Sequence, residues 1–264
     1  MSDIAAACRQ ILLTPVPRTK IMLARQVARQ WRQGLLDRRF DVAMPDAPAR
    51  PAAPVLLTAN RMPKRGRAGS QRARIAMLHA LAHIEYGAID LAFDIVGRFA
   101  MQMPAAFIDD WIKVGADEAL HFALLMRRLE ALGSYYGALP AHEGLWEAAQ
   151  ATSHDVLARL AIVPMILEAR GLDVTPATIA RFEAAADLPS ARILDRVYHD
   201  EITHVATGVR WFKIMCVEQR FDPIAHWHSL IERHFKGALK PPFNDSARNA
   251  AGLTTDFYNS IAAA

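Results

Sequence analysis

Two strings of the form D-E-x-x-H hold the residues best suited to chemistry: Asp117-Glu118-Ala119-Leu120-His121 and Asp200-Glu201-Ile202-Thr203-His204. Residues three apart share a helix face, so each Glu–His pair can offer one carboxylate and one imidazole to the same metal ion. The interval from Glu85 to Glu118 equals that from Glu168 to Glu201, so Glu85, Glu118 and His121 recur as Glu168, Glu201 and His204 at an offset of 83. A half-site built twice is what duplicated helix pairs around a pseudo-two-fold axis produce. Four carboxylates can bridge and charge-balance two divalent ions, while one imidazole per ion leaves positions open for dioxygen, peroxide or substrate. Without a cation the same carboxylates would repel one another and lose hydration. These six residues are the candidate metal ligands, and the expected cofactor is two iron ions, with iron/manganese or manganese alone as alternatives. Asp117 and Asp200 obey the same offset. They are candidates to accept the second N–H of an imidazole from a partner helix, ordinary helix solvation being the plainer reading.

The elements that must position these ligands are helices. Residues 3 to about 40 read as two short helices split by Thr14-Pro15-Val16-Pro17, and the Pro-rich, basic text from Phe40 to Ser70 reads as a linker. Four long helical stretches follow, about 71–100, 105–132, 153–186 and 190–219, with Met103-Pro104 and Leu188-Pro189 at two turns. Gly133 to Thr152 reads as the long crossover of a four-helix bundle. Pro164 and the run Gly171-Leu172-Asp173-Val174-Thr175-Pro176 predict a break after Glu168, with Thr175 as N-cap, Pro176 at the first helical position and Gly171 opening a channel to the metals. The organisation expected is a helical preface and linker over 1–69, a bundle over 70–219, and a C-terminal helix and tail over 220–264 packing on it.

Composition agrees with an all-α fold: 52% of residues are hydrophobic, 22% charged, and only 13 are Gly. No apolar run is long enough for a membrane span, and the early residues show neither a basic n-region nor a long apolar segment, so a cytoplasmic location is expected. Cys8 and Cys216 are too few and too far apart to suggest a disulfide framework or a zinc knuckle. No acidic residue lies between Asp46 and Glu85, whereas Arg50, Arg61, Lys64, Arg65, Arg67, Arg72 and Arg74 do. This segment is a solvated linker or a surface for an anionic partner, and it lacks the aromatic interleaving that single-stranded nucleic acid favours. P-loop, Rossmann and Ser-His-Asp patterns are absent, which leaves nucleotide-binding and hydrolase readings without support.

The strings HALAHIEYGAIDLA (79–92), DEALHF (117–122), PAHEGLW (140–146), VPMILEARGLDVTP (163–176) and DEITHV (200–205) resemble the ferritin-like family known as domain of unknown function 455. The resemblance covers nearly the whole chain, including the KPPFN stretch near the end. It implies a ferritin-like four-helix bundle whose metal ligands fall on Glu85, Glu118, His121, Glu168, Glu201 and His204, and it implies no reaction. More distantly the chain is similar to rubrerythrins, ribonucleotide reductase small subunits and the di-iron tRNA hydroxylase. The leading expectation is an oxygen-activating oxidase or hydroxylase that takes dioxygen or peroxide and draws on an electron donor. Iron oxidation and storage, peroxide scavenging, and a metal-stabilised interaction protein are the rivals. His79 and His83 are expected in the core or on the surface rather than on the metals. Tyr86, Tyr135, Tyr136 and Trp211 are read chiefly as packing residues, Arg170 and Arg210 as solvated charges with anion binding as the sharper alternative, and His142, Glu143 and Trp146 as turn residues or a site mouth.

Overall fold

The computed structural model describes residues 3–63 and 69–262. It is all-α, and the described residues form only isolated β-bridges. The basic residues Lys64, Arg65 and Arg67 fall outside the described residues. By its contacts the chain divides into two compact units, Met1–Trp146 with Arg181–Ile193, and Glu147–Ala180 with Leu194–Ala264.

In the first unit, α1 (Ile4–Leu12) begins where Asp3 accepts a hydrogen bond from the Ala6 N–H, and α2 (Pro17–Arg32) begins on a proline whose missing N–H costs nothing at a helix start. Both helices of the preface pack into this unit, α1 on α3 and α2 on α4. Helix α3 (Gln71–Phe99) is capped by Ser70, and α4 (Ala105–Ala131) follows a short 3₁₀ turn at Ala100–Gln102. The Gln71 side chain at the start of α3 donates to the Leu132 carbonyl at the end of α4, so the two run antiparallel. Along α3 the buried face contains Leu78, Ala82, Glu85 and Ile89 at helical spacing, which places a candidate ligand carboxylate inside an apolar stripe.

The connection expected over Gly133–Thr152 contains a short helix, α5 (Gly144–Ala151). In the second unit, α6 (Val156–Ile162) is capped by Asp155 and leads into a π-helical segment, Val163–Glu168. Helix α7 (Ala169–Ala184) follows, and then α8 (Leu188–Glu218) with Glu201 and His204. Three C-terminal helices end the chain: α9 (Pro223–His234), α10 (Asp245–Ala250) and α11 (Thr255–Tyr258).

The break expected after Glu168 is displaced. Pro164 removes an N–H and crowds the carbonyl four residues back, and the chain widens there, with the Ala169 N–H reaching the Pro164 carbonyl five residues earlier. Gly208 makes room for the proline ring, since a Cβ at 208 would lie 2.4 Å from Pro164 Cβ. Helix α7 instead continues straight through Gly171, Thr175 and Pro176, so Thr175 is not an N-cap and Pro176 is not a first-turn residue. The reason is Asn244: its amide donates to the Leu172 carbonyl at 3.1 Å, supplying the bond that the Pro176 nitrogen cannot make.

Candidate metal centre

Glu85, at the middle of α3, and Glu118 and His121, on α4, are all buried. His121 Nδ1 lies 3.2 Å from Glu85 Oε2 and 3.4 Å from Glu118 Oε2, so the imidazole stands between two carboxylates. Burial, followed by the neighbouring Glu118 carboxylate, pushes the Glu85 carboxyl well above the usual range. For His121, burial is the largest single influence and favours the neutral ring. Hydrogen bonds to Glu118 and Glu85, with their charges, outweigh it and raise the imidazole to about 11. The pair of buried carboxylates therefore calls for a cation, and a proton on His121 answers that need until something stronger does.

In the second unit Glu201 and His204 form the matching pair on α8, with His204 Nδ1 3.6 Å from Glu201 Oε1 and the histidine buried. Glu168, half-buried, closes the π-helical segment. Within the first unit, Glu85, Glu118 and His121 belong to a group of residues that could hold a metal ion. Two carboxylates and one imidazole are an oxygen-rich donor set suited to iron, manganese or another ion of similar hardness. Asp117 accepts from Lys113 Nζ at 2.8 Å and Asp200 from Arg196 Nε at 2.5 Å, and these two pairs also obey the offset of the ligand repeat.

The same offset exposes a pair of residues that the reading of ligand types passed over. Asp90 and Asp173 each follow a ligand glutamate by five positions, and each has a fully buried side chain held by two cations. Asp90 accepts from Lys20, itself fully buried, and from Arg50. Arg50 also donates two bonds to Glu143 at 2.8 and 2.9 Å, and both Lys20 and Arg50 sit over the Tyr86 ring. Asp173 accepts from Arg248 at 2.7 and 2.8 Å and from Arg170 at 3.3 Å, and Arg248 lies between the rings of Phe243 and Tyr258. A charged residue in the apolar run Gly87-Ala88-Ile89-Asp90-Leu91-Ala92 was the available signal, because a buried carboxylate demands partners.

His79 Nε2 accepts from the Gly137 N–H at 2.9 Å, and His83 Nδ1 meets the Tyr136 hydroxyl at 2.9 Å; burial lowers both rings to about 4. Both hold the connection after α4. His142 accepts from the Gly144 N–H, Trp146 donates to the Asp46 carbonyl, and with Glu143 they line a cleft of about 490 Å³ together with Ala80, His83 and Gly87. Those α3 positions face away from Glu85 by helical spacing. Tyr86 and Trp211 are buried and Tyr135 is exposed. Arg50 and Arg74 of the basic segment are engaged by carboxylates, Arg74 by Asp187 at 3.3 Å. Cys8 and Cys216 are buried free thiols, Cys216 pushed up by burial to about 11. No helix among the described residues is long and apolar enough to cross a membrane.

Comparison with known proteins adds kinship and no activity. An uncharacterized protein of Haemophilus influenzae is 38% identical over 210 residues, covering 77% of this chain and 73% of its own. No solved structure matches the chain. The family described as protein of unknown function DUF455 matches residues 13–259, a span that contains the whole ligand repeat and its two buried aspartates, and the chain belongs to that family.

Proposed function

We propose that the chain is a carboxylate-ligated two-metal protein, with iron as the preferred metal, acting as an oxygen-activating oxidase or hydroxylase on an organic substrate. The observation that carries this reading is the buried trio of Glu85, Glu118 and His121, whose residue types recur in Glu168, Glu201 and His204. Each trio would hold one ion. Iron bound in the ferrous state would supply two electrons, enough to take dioxygen to the level of hydrogen peroxide, and oxidation of the substrate or an electron donor would supply any further pair. The apolar residues around the ligands, among them Leu78, Ala82, Ile89 and Phe122, keep water from the carboxylates. Glu85, Glu118 and His121 would hold the ion of the first trio, with His121 in its deprotonated form. Asp117 and Asp200, each paired with a cation one turn earlier on its own helix, are the acceptors proposed for the second imidazole N–H groups.

The test is oxygen uptake by the anaerobically loaded ferrous protein. Consumption of about one dioxygen per two iron ions by the two-electron account above, followed by repeated turnover when reductant is added, is expected. Glu168→Ala should abolish uptake while leaving the helical circular dichroism intact. Uptake that continues with added iron and ends in a mineral core would replace the oxidase reading with storage, and a loaded protein inert to oxygen would remove both.

A further inference from the structure

The two buried aspartates differ in one respect, and that difference points to a second site. Around Asp90 the charges balance: Lys20 and Arg50 face Asp90 and Glu143. Around Asp173 they do not. A cleft of about 490 Å³ in the second unit is lined by Arg170, Lys240 and Arg248, with Asp173 the only acidic residue among the described residues of its wall. Three cations against one carboxylate leave an excess of two positive charges. Arg248 is bound to Asp173 through Nε and Nη2, its side chain is 2% exposed, and its Nη1 is buried with no hydrogen-bond partner among the described residues. Arg170, 45% exposed, reaches Asp173 and the Lys240 carbonyl and keeps donors to spare. The rest of the wall is apolar: Ile166, Leu167, Phe235, Leu239 and Phe243.

We propose that this cleft binds a small organic anion, a carboxylate or phosphate monoester with a short apolar body. Its head takes the place that Glu143 holds beside Arg50 in the first repeat, closing the charge balance against Arg170, Lys240 and the fixed Arg248. Its body lies on Phe235, Leu239 and Ile166. Arg248 serves better than a lysine would, because Asp173 on its fork and the two flanking rings fix the guanidinium before any ligand arrives. The site is independent of whether the glutamates hold metal.

Isothermal titration of the full chain with hexanoate, hexyl phosphate, acetate, inorganic phosphate and hexylammonium tests it. Hexanoate or hexyl phosphate should bind at least tenfold more tightly than its headgroup alone, since each buried methylene is worth about fourfold, and hexylammonium should not bind. The preferred headgroup identifies the class. Lys240→Glu, on an exposed side chain, should remove binding, and Arg170→Gln should weaken it about tenfold, the scale of losing one charge-assisted hydrogen bond; both variants should keep the thermal unfolding midpoint. Absence of binding at millimolar anion, binding unchanged in both variants, or equal affinity for acetate and hexanoate would overturn the proposal.

Discussion

The two repeats share a ligand pattern and differ in the backbone that presents it. In the first, Glu85 sits in an uninterrupted 29-residue helix and is backed by Asp90, which the N-terminal α2 grips through Lys20. In the second, Glu168 ends a π-helical segment, and Asp173 is gripped from the C-terminal side through Arg248. Positions 81 and 125 are leucines, whereas their counterparts in the second repeat are Pro164 and Gly208. The proline widens the helix and the glycine makes room for its ring. The candidate ligands are thus kept in register while packing residues change in compensating pairs, and each terminal extension has become the clamp of one repeat.

The largest effects should come from the clamps. Asp90→Ala and Asp173→Ala each leave two cations without their carboxylate, and each should lower the unfolding free energy by about 3–5 kcal/mol, read by urea denaturation. A loss below about 1 kcal/mol at either position would break the equivalence of the two. Lys20→Met combined with Asp90→Leu should cost far less than Asp90→Ala alone, because the pair then leaves no unmatched charge.

Overpacking should rank next. Gly208→Leu drives a side chain into the Pro164 ring and should cost about 1–3 kcal/mol, and Pro164→Leu in the same chain should recover most of it by restoring the leucine pair of the first repeat. Simple additivity of the two changes would contradict the compensation. Asn244→Leu strands the Leu172 carbonyl and removes the N-cap of α10, and should cost about 1–3 kcal/mol; in a Pro176→Ala background, where the helix supplies its own donor, only the share of the cap should remain.

Much of the fold was legible in the sequence because its signals are local. Ser70 and the Thr14–Pro17 punctuation marked helix ends, and the offset of 83 brought Glu85 and Glu168 to light although neither lies in a D-E-x-x-H string. What could not be read depends on distant residues. Pro176 signals a helix start on its own, and only Asn244, 72 residues beyond Leu172, lets the helix run through it. Lys20 and Asp90 are 70 residues apart, so the partner that makes a buried aspartate tolerable could not be named from the local string. The π-helical segment is a response to Pro164 that depends on Gly208 having no side chain, and a proline by itself predicts only a kink.

The smallest effect concerns how the two ligand helices begin. Helix α4 starts after Pro104 with no side-chain cap, whereas at the equivalent position of the second repeat Asp187 accepts from the Ser190 N–H and from Arg128 at the start of α8. Burial alone would raise the Asp187 carboxyl. The Ser190 and Arg128 hydrogen bonds outweigh it and hold the group below its usual value. A depressed carboxyl stabilises the fold above its unfolded-state value and loses that contribution as pH falls through the lower folded value. Asp187→Asn should therefore cost about 1 kcal/mol at neutral pH, with the difference from the parent shrinking below about pH 4, where a free aspartate takes up its proton. A cost independent of pH would remove the charge from the cap.

Anaerobic titration of the full chain with ferrous iron, read by bound metal per chain, tests the duplicated centre most directly. Two ions per chain are predicted from the two trios, with Glu118→Ala and Glu201→Ala each reducing the iron bound. Failure to bind iron or manganese, or occupancy unchanged by both substitutions, would contradict it.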